Sequence, residues 1–530
     1  MKRLSLALTL LALVVVSSSV RAAVTLNPLF GDGMVLQQGM PVPVWGTAGD
    51  GEKVTVRFAG QEVSTTAKDG RWMVRLAPLE AGGPFVLRVE AAKPIVLENV
   101  LVGEVWVCSG QSNMEFRLLR ASNAKEAIAQ SEDSQFRLFT VPHRTSDEPR
   151  SEIKPAGDPL RPGEEGWKAA APRTSGGFSA VGYFFGRDLR KALGVPVGLI
   201  HSSVGGTPAE AWTPRPALEA NGDLKTLLTE DAQRLAAVKP GAAEQYQADV
   251  AAYRKALAQA KAEGKTPPRP PAAPYGPNST KRPTVLYNGM IAPLQPFAIR
   301  GVIWYQGEGN ASRAYQYRTL FPTMIRAWRE TWGEGDFPFL FVQLAPFQKI
   351  VKEPADSAWA ELREAQLLTS RNVPNTGMAV ITDVGDETDV HPTRKEPVGA
   401  RLALAARALV YGQKVESSGP ELAGMDVEQD HAVLRFRHTG GGLVAKAGPL
   451  TGFAIAGEDR KFHNADAEIR GDTVIVRSAG VEHPVAVRYG WANYPLGNLW
   501  NQAGLPASPF RTDDFPMTTK PRPRERARSR

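Results

Sequence analysis

The chain of 530 residues carries a single cysteine, Cys108, which excludes an intramolecular disulfide and leaves stability to hydrophobic cores. Cys108 lies in the apolar run Val105-Trp106-Val107-Cys108, where a buried, inert thiol is expected rather than a nucleophile. Long hydrophobic runs are scarce too. The one at the N-terminus, residues 4–16, follows Met1-Lys2-Arg3 and precedes small residues that end in Val20-Arg21-Ala22-Ala23. It is too short for a membrane span, which needs about 20 apolar residues. Its charged, apolar, small-residue order is that of a secretory signal peptide over residues 1–22. No later run is long enough to cross a bilayer, so the expectation is a secreted or periplasmic protein without a membrane span. Metal-ligand spacing is lacking as well: apart from Asp389-Val390-His391, no His/Cys/Asp cluster suggests a metal site, and no cofactor is expected.

Acidic charge falls short of basic, giving a formal net charge of +8. Such a surplus suggests nucleic acid, but its location argues otherwise. Lys2, Arg3 and Arg21 belong to the signal segment, and Lys520, Arg522, Arg524, Arg526, Arg528 and Arg530 to a Pro-containing tail. The body between them is close to neutral, so no nucleic-acid partner is expected. Residues 516–530 read as a disordered basic tail. The oligomeric state has no signature in the sequence.

A body of roughly 500 residues exceeds what one hydrophobic core supports. Residues 23–100 alternate apolar and polar side chains, as in Lys53-Val54-Thr55-Val56-Arg57-Phe58, with Gly and Asp at the breaks. This predicts an N-terminal all-β module. From 101 to about 415 apolar strand-like runs (101–108, 196–201, 299–305, 339–344, 378–382) are separated by stretches with helical spacing. That order predicts an α/β domain with about five parallel strands. An Ala/Lys/Glu/Gln-rich stretch followed by prolines, residues 216–277, reads as a helical insertion with an extended linker, either a lid or a solvated excursion. Alternation returns over 416–515, predicting a C-terminal β-module.

Gly110-Gln111-Ser112-Asn113-Met114 follows directly on the strand-like run 101–108. The carboxyl ends of parallel strands are where ligands sit, and a serine there is well placed to be a nucleophile, although a helix N-cap serine looks the same. Of seven histidines, His391 alone stands in a loop beyond the carboxyl end of the last α/β strand. A serine nucleophile needs a neutral imidazole, and the imidazole needs a carboxylate that fixes its tautomer. Asp389 can supply it; Asp386 competes, and both acids could be turn residues. Gly205 and Gly206, after the second strand, could present a backbone N–H to an oxyanion or merely form a turn. Gln306 and Asn310, after the third, could be side-chain donors or caps. Ser203 is a rival nucleophile, but the G-x-S-x-G spacing fails because residue 201 is His.

Together the Gly-Gln-Ser-Asn-Met run at 110–114, Gly-Gly-Thr-Pro-Ala-Glu-Ala-Trp at 205–212, Trp-Tyr-Gln-Gly-Glu at 304–308 and Asp-Val-His-Pro at 389–392 resemble the bacterial sialate O-acetylesterase family of SGNH hydrolases. The resemblance runs from about Leu26 to Phe515 with the motifs in order. It implies a flavodoxin-like parallel sheet flanked by β-modules and a serine esterase that removes acetyl groups from carbohydrate, O-acetylated sialic acid foremost. In that reading Ser112 is nucleophile, His391 base and Asp389 its acid, with Gly205 or Gly206, Gln306, Glu308 and Asn310 around the oxyanion and substrate. In the wider superfamily the acid usually stands three residues before the histidine, where this chain has Thr388. Two other functions compete: an acetylesterase for plant polysaccharide of the acetylxylan type, with the same catalytic parts, and a carbohydrate-binding protein on a dead esterase core. The second expects the nucleophile or histidine to be missing, and both are present.

Overall fold

The computed structural model describes residues 23–91, 93–153 and 166–521; the signal-peptide reading of residues 1–22 lies outside them. Its centre is the strand Ile95–Gly110. The first half of this strand is half-exposed and pairs antiparallel with Gly82–Glu90, while every residue from Val100 onward is buried. A single strand therefore runs through position 100, where the composition suggested a boundary. Alternation suits one wetted face and a continuous apolar run suits burial on both, so the change of pattern marks a change of environment within one strand.

Around that strand the sheet order is Thr376–Ala379, Phe339–Val342, Gly301–Tyr305, Ile95–Gly110, Val197–Ser203, Asp133–Thr140 and Lys168–Ala170. All of these neighbours are parallel except the last pair. The sheet thus has six parallel strands and an antiparallel edge rather than about five. The extra strand, Asp133–Thr140, begins with three polar residues, which hid it among loop-like sequence. Helices cover both faces: Ala180–Leu193 against Glu396–Leu409 on one side, Ala314–Trp332 against Ala358–Asn372 on the other. Close approach on the first face demands Gly399, where an added Cβ would stand 2.6 Å from Phe184 Cβ. Trp212, Trp304, Trp328 and Phe339 form an edge-to-face aromatic cluster beside the sheet, with Phe321 stacked on Trp304, geometries worth about 0.5–1.5 kcal/mol per pair beyond burial.

The insertion consists of the helices Arg215–Glu219, Gly222–Ala236 and Ala242–Ala262. Only Ala260 of the long one is buried, which fits the solvated excursion better than a packed lid. The C-terminal β region has antiparallel sheets around a separate core of Leu434, Ile455, Val476, Val487 and Phe510. It is stitched to the α/β layer by the fully buried Arg363, whose guanidinium donates to the carbonyls of Leu344, Ala345, Ala492 and Asn493. Burial lowers the Arg363 pKa to about 9. The tail departs from expectation over its first residues: Thr518 and Thr519 donate to the buried Glu361 carboxylate and dock the chain there, while residues 522–530 of the expected basic tail lie outside the described residues. Among the described residues no helix is long and apolar enough to cross a membrane.

Candidate active site

Every candidate motif lies beyond the carboxyl edge of the parallel strands. Gly110 ends the central strand with φ +137°, and a Cβ there would lie 2.2 Å from the Tyr305 carbonyl oxygen; only glycine lets the chain turn so tightly against its neighbour. Ser112 opens the short helix Ser112–Glu115. That turn is held by Ser179, whose hydroxyl donates to Met114 O at 2.6 Å while accepting from Gly182 N–H as the cap of the next long helix. Ser112 is half-buried, at the floor of the edge rather than within the core.

His391 arrives from the loop after Thr376–Ala379. Its Nδ1 stands 3.1 Å from Asp389 Oδ1, and its main-chain N–H donates to the same oxygen at 2.8 Å. The turn thus lets residues two apart face one another. Asp386 points elsewhere: its Oδ1 accepts from Thr388 N–H, Thr388 Oγ1 and Asp389 N–H, and these bonds hold its carboxyl below the usual range. Burial lowers the His391 pKa below 6.5, against the opposing pull of Asp389, which favours the neutral imidazole a base requires. The two segments meet through Asn113, whose Nδ2 donates to Val390 O at 2.9 Å. The neighbour of the serine therefore grips the neighbour of the histidine.

Gly205 borders the serine directly: a Cβ on it would lie 3.3 Å from Ser112 Cβ. Its N–H donates to Glu115 Oε2 at 2.7 Å, and Glu115 Oε1 is 3.3 Å from His143 Nε2. Gly206, exposed with φ +71°, continues the turn. Gln306 and Asn310 find their partners within the fold. Gln306 Nε2 donates to Thr207 O and to Asn310 Oδ1, while its Oε1 accepts from Tyr317; Asn310 Nδ2 donates to Glu210 Oε2. Both are buried and brace the loop that carries Gly205. Glu308 Oε1 accepts from Asn113, the neighbour of the serine, at 2.6 Å. Ser203 is buried and bonded to His201 Nε2 at 2.6 Å, away from the open edge. Cys108 is buried, which raises its thiol pKa and leaves it inert. Among the described residues no group of His, Cys, Asp and Glu could hold a metal ion.

Residues 277–408 match the family described as carbohydrate esterase, sialic acid-specific acetylesterase. Over 523 residues the chain is 31% identical to sialate O-acetylesterase of Mus musculus, covering 90% of this chain and 92% of that one. The chain belongs to the sialate O-acetylesterase family. The human relative is 31% identical over 72% of this chain and 70% of its own. A solved structure described as a carbohydrate acetylesterase from Xanthomonas citri is 41% identical, with a TM-score of 0.78, covering 93% of this chain and 100% of that one.

The enzyme is therefore a carboxylic ester hydrolase, and its edge holds groups that sequence reasoning passed over. Asn113 was seen only as part of a motif. Lys395 is wholly buried, donates to Asn113 Oδ1, and lies 4.8 Å and 5.3 Å from the ring centroids of Phe116 and Tyr305. Burial brings its pKa down to about 7. The same burial raises the Glu308 carboxyl. A lysine ending a run of polar residues before a helix reads as a surface residue, and nothing in its spacing signals burial.

Proposed function

We propose that this esterase hydrolyses O-acetyl esters on carbohydrate, O-acetylated sialic acid foremost, with Ser112 as nucleophile. The observation that carries the reading is the junction at the sheet edge: Ser112 beside Gly205, tied through Asn113 to a loop in which His391 Nδ1 faces a carboxylate. With Nδ1–H held by Asp389, Nε2 is the basic nitrogen. It takes the Ser112 proton as the hydroxyl attacks the acetyl carbonyl, then gives it to the departing sugar oxygen, leaving an acetyl-serine. Water, deprotonated by the same imidazole, attacks that ester; the bond from Ser112 Oγ to the acyl carbon breaks, the serine recovers its proton and acetate leaves. The Gly205 N–H already bonds an anionic oxygen of Glu115, so it is suited to an oxyanion that displaces that carboxylate. Gln306 and Asn310 then act by holding the Gly205 loop.

The plant-polysaccharide reading has one observation in its favour. A groove of about 780 Å³, lined by Lys352, Glu353, Asn464, Trp491, Tyr494 and Leu496 among others, runs beside the histidine loop: Ile350 N–H donates to Glu387 Oε2 at 3.1 Å, and Tyr494 feels the charges of Glu387 and Asp386. Aromatic and polar side chains in one groove suit further sugar residues of a longer chain. Residues 1–22 are proposed to direct secretion, which N-terminal sequencing of the exported protein tests. Acetate release from a panel of O-acetylated sialic acids and acetylated xylo-oligosaccharides decides the substrate. Turnover of sialic acids alone supports the first reading, turnover of oligosaccharides alone the second, and none in either set overturns both.

A further inference from the structure

Ser112 and His391 come from segments nearly 280 residues apart in sequence, joined at a distance by Ser122 N–H donating to Thr393 O at 3.0 Å, while among the described residues no main-chain hydrogen bond runs between Ser112 and His391 themselves. Next to the two residues the link is a side chain. Asn113 is 1% exposed and makes bonds at both ends of its amide: Nδ2 donates to Val390 O at 2.9 Å and to Glu308 Oε1 at 2.6 Å, while Oδ1 accepts from Lys395 Nζ. These partners fix which way the amide points, because a flipped amide would set its oxygen against two acceptors and its NH₂ against an ammonium. Lys395 has no exposure, and Glu308 Oε2 is buried without a hydrogen-bond partner among the described residues. Burying a lysine and a carboxylate is costly unless each is compensated. Here the compensation is Asn113 itself, with the faces of Phe116 and Tyr305 around the ammonium.

We propose that Asn113, oriented by Lys395 and Glu308, is the positioning residue that sets the register between Ser112 and His391, and that the Lys395 ammonium, held on Asn113 beside the histidine loop, adds to burial in disfavouring the imidazolium. This rests on the Ser112–His391 reading. The charged groups that act on His391 are Asp389 from its own loop, Lys395 from the start of the helix Glu396–Leu409, and Arg120 from the segment after the serine helix. Lys395 in turn faces Glu308, Asp389 and Arg120. Lys395 and Arg120 disfavour the imidazolium, and only Asp389 favours it.

The test compares Asn113→Asp, Asn113→Ala, Glu308→Gln and Lys395→Met with wild type and Ser112→Ala, by kcat, KM and pH profile on one acetyl ester. Asn113→Asp cannot donate to Val390 O, so kcat falls on the order of 10²-fold, the cost of a misplacement near 1 Å, while KM changes less than about threefold. Glu308→Gln keeps an acceptor for Asn113 and retains more activity than Asn113→Asp. Lys395→Met moves the acid limb of kcat to higher pH, because a positive charge that opposed the imidazolium is gone. A merely structural role would lower Tm without moving that limb or splitting kcat from KM. Near wild-type kcat in folded Asn113→Asp, or an unmoved limb in Lys395→Met, overturns the proposal. If Asn113→Ala does not fold, Asn113→Asp and Lys395→Met carry the test. An active Ser112→Ala would instead overturn the underlying reading, so the two failures are distinguishable.

Discussion

Replacing Asp389 by Asn asks what the carboxylate contributes once geometry is separated from charge. Asp389 Oδ1 receives two N–H groups, the main chain of His391 at 2.8 Å and the ring Nδ1 at 3.1 Å. In Asp389→Asn both donors favour the amide oxygen at that position, so Nδ1–H and the ring tautomer persist. What disappears is the negative charge that steadies the imidazolium in the transition state. A hydrogen bond to a charged partner contributes about 1.5–3 kcal/mol. The Asp389 side chain is 54% exposed, and solvent screening brings this to about 1–2 kcal/mol, or roughly 5- to 30-fold in kcat. Asp389→Ala removes the acceptor altogether and should cost on the order of 10²-fold or more. Steady-state hydrolysis of one acetyl ester, at a pH above the acid limb, measures both. A loss beyond about 10³-fold in Asp389→Asn would mean that the amide turns its NH₂ to the ring, and a loss under about twofold in Asp389→Ala would mean that Asp389 does not orient His391.

Other outcomes follow from the same geometry. Asp386→Asn keeps an oxygen for the Thr388 and Asp389 N–H groups, so kcat should stay within about threefold, and a collapse there beside mild Asp389 variants would transfer the role. Because burial holds His391 below its ordinary 6.5 and the base works neutral, kcat/KM should decline only as pH falls below 6.5, through the lowered pKa; a limb centred above 6.5 in the pH profile contradicts this. Ser203→Ala removes a buried bond to His201 and should lower thermal stability by about 1 kcal/mol while leaving kcat nearly unchanged; a loss as deep as that of Ser112→Ala would make Ser203 the nucleophile.

Much of the architecture was legible because periodicity reports burial. Continuous apolar runs marked the central parallel strands, and alternation marked the β regions on either side. The strand Asp133–Thr140 escaped because its first residues are polar and partly exposed, and the seam at position 100 escaped because one strand crosses two environments. At the site, the placement of Ser112 and His391 beyond the strand ends was legible from the apolar runs and a histidine census. The contact between Asp389 and His391 was legible only as one of two alternatives, Asp386 being the other, since a turn decides which carboxylate faces the ring. Gln306 and Asn310 were chemically suited to face an oxyanion, yet hydrogen-bond partners from Thr207, Glu210 and Tyr317 engage their amides. Long-range partners of that kind, like the burial of Lys395, are set by packing between distant segments and leave no local spacing to read.

The nucleophile is tested most directly by covalent capture. The esterase is incubated with an organophosphonate that phosphonylates activated serines, digested, and mapped by mass spectrometry, with acetate release followed in parallel. A single adduct on Ser112, absent from Ser112→Ala together with a loss of acetate release on the order of 10³-fold or more, is the result expected. An adduct on another residue, or acetate release undiminished in Ser112→Ala, contradicts the account.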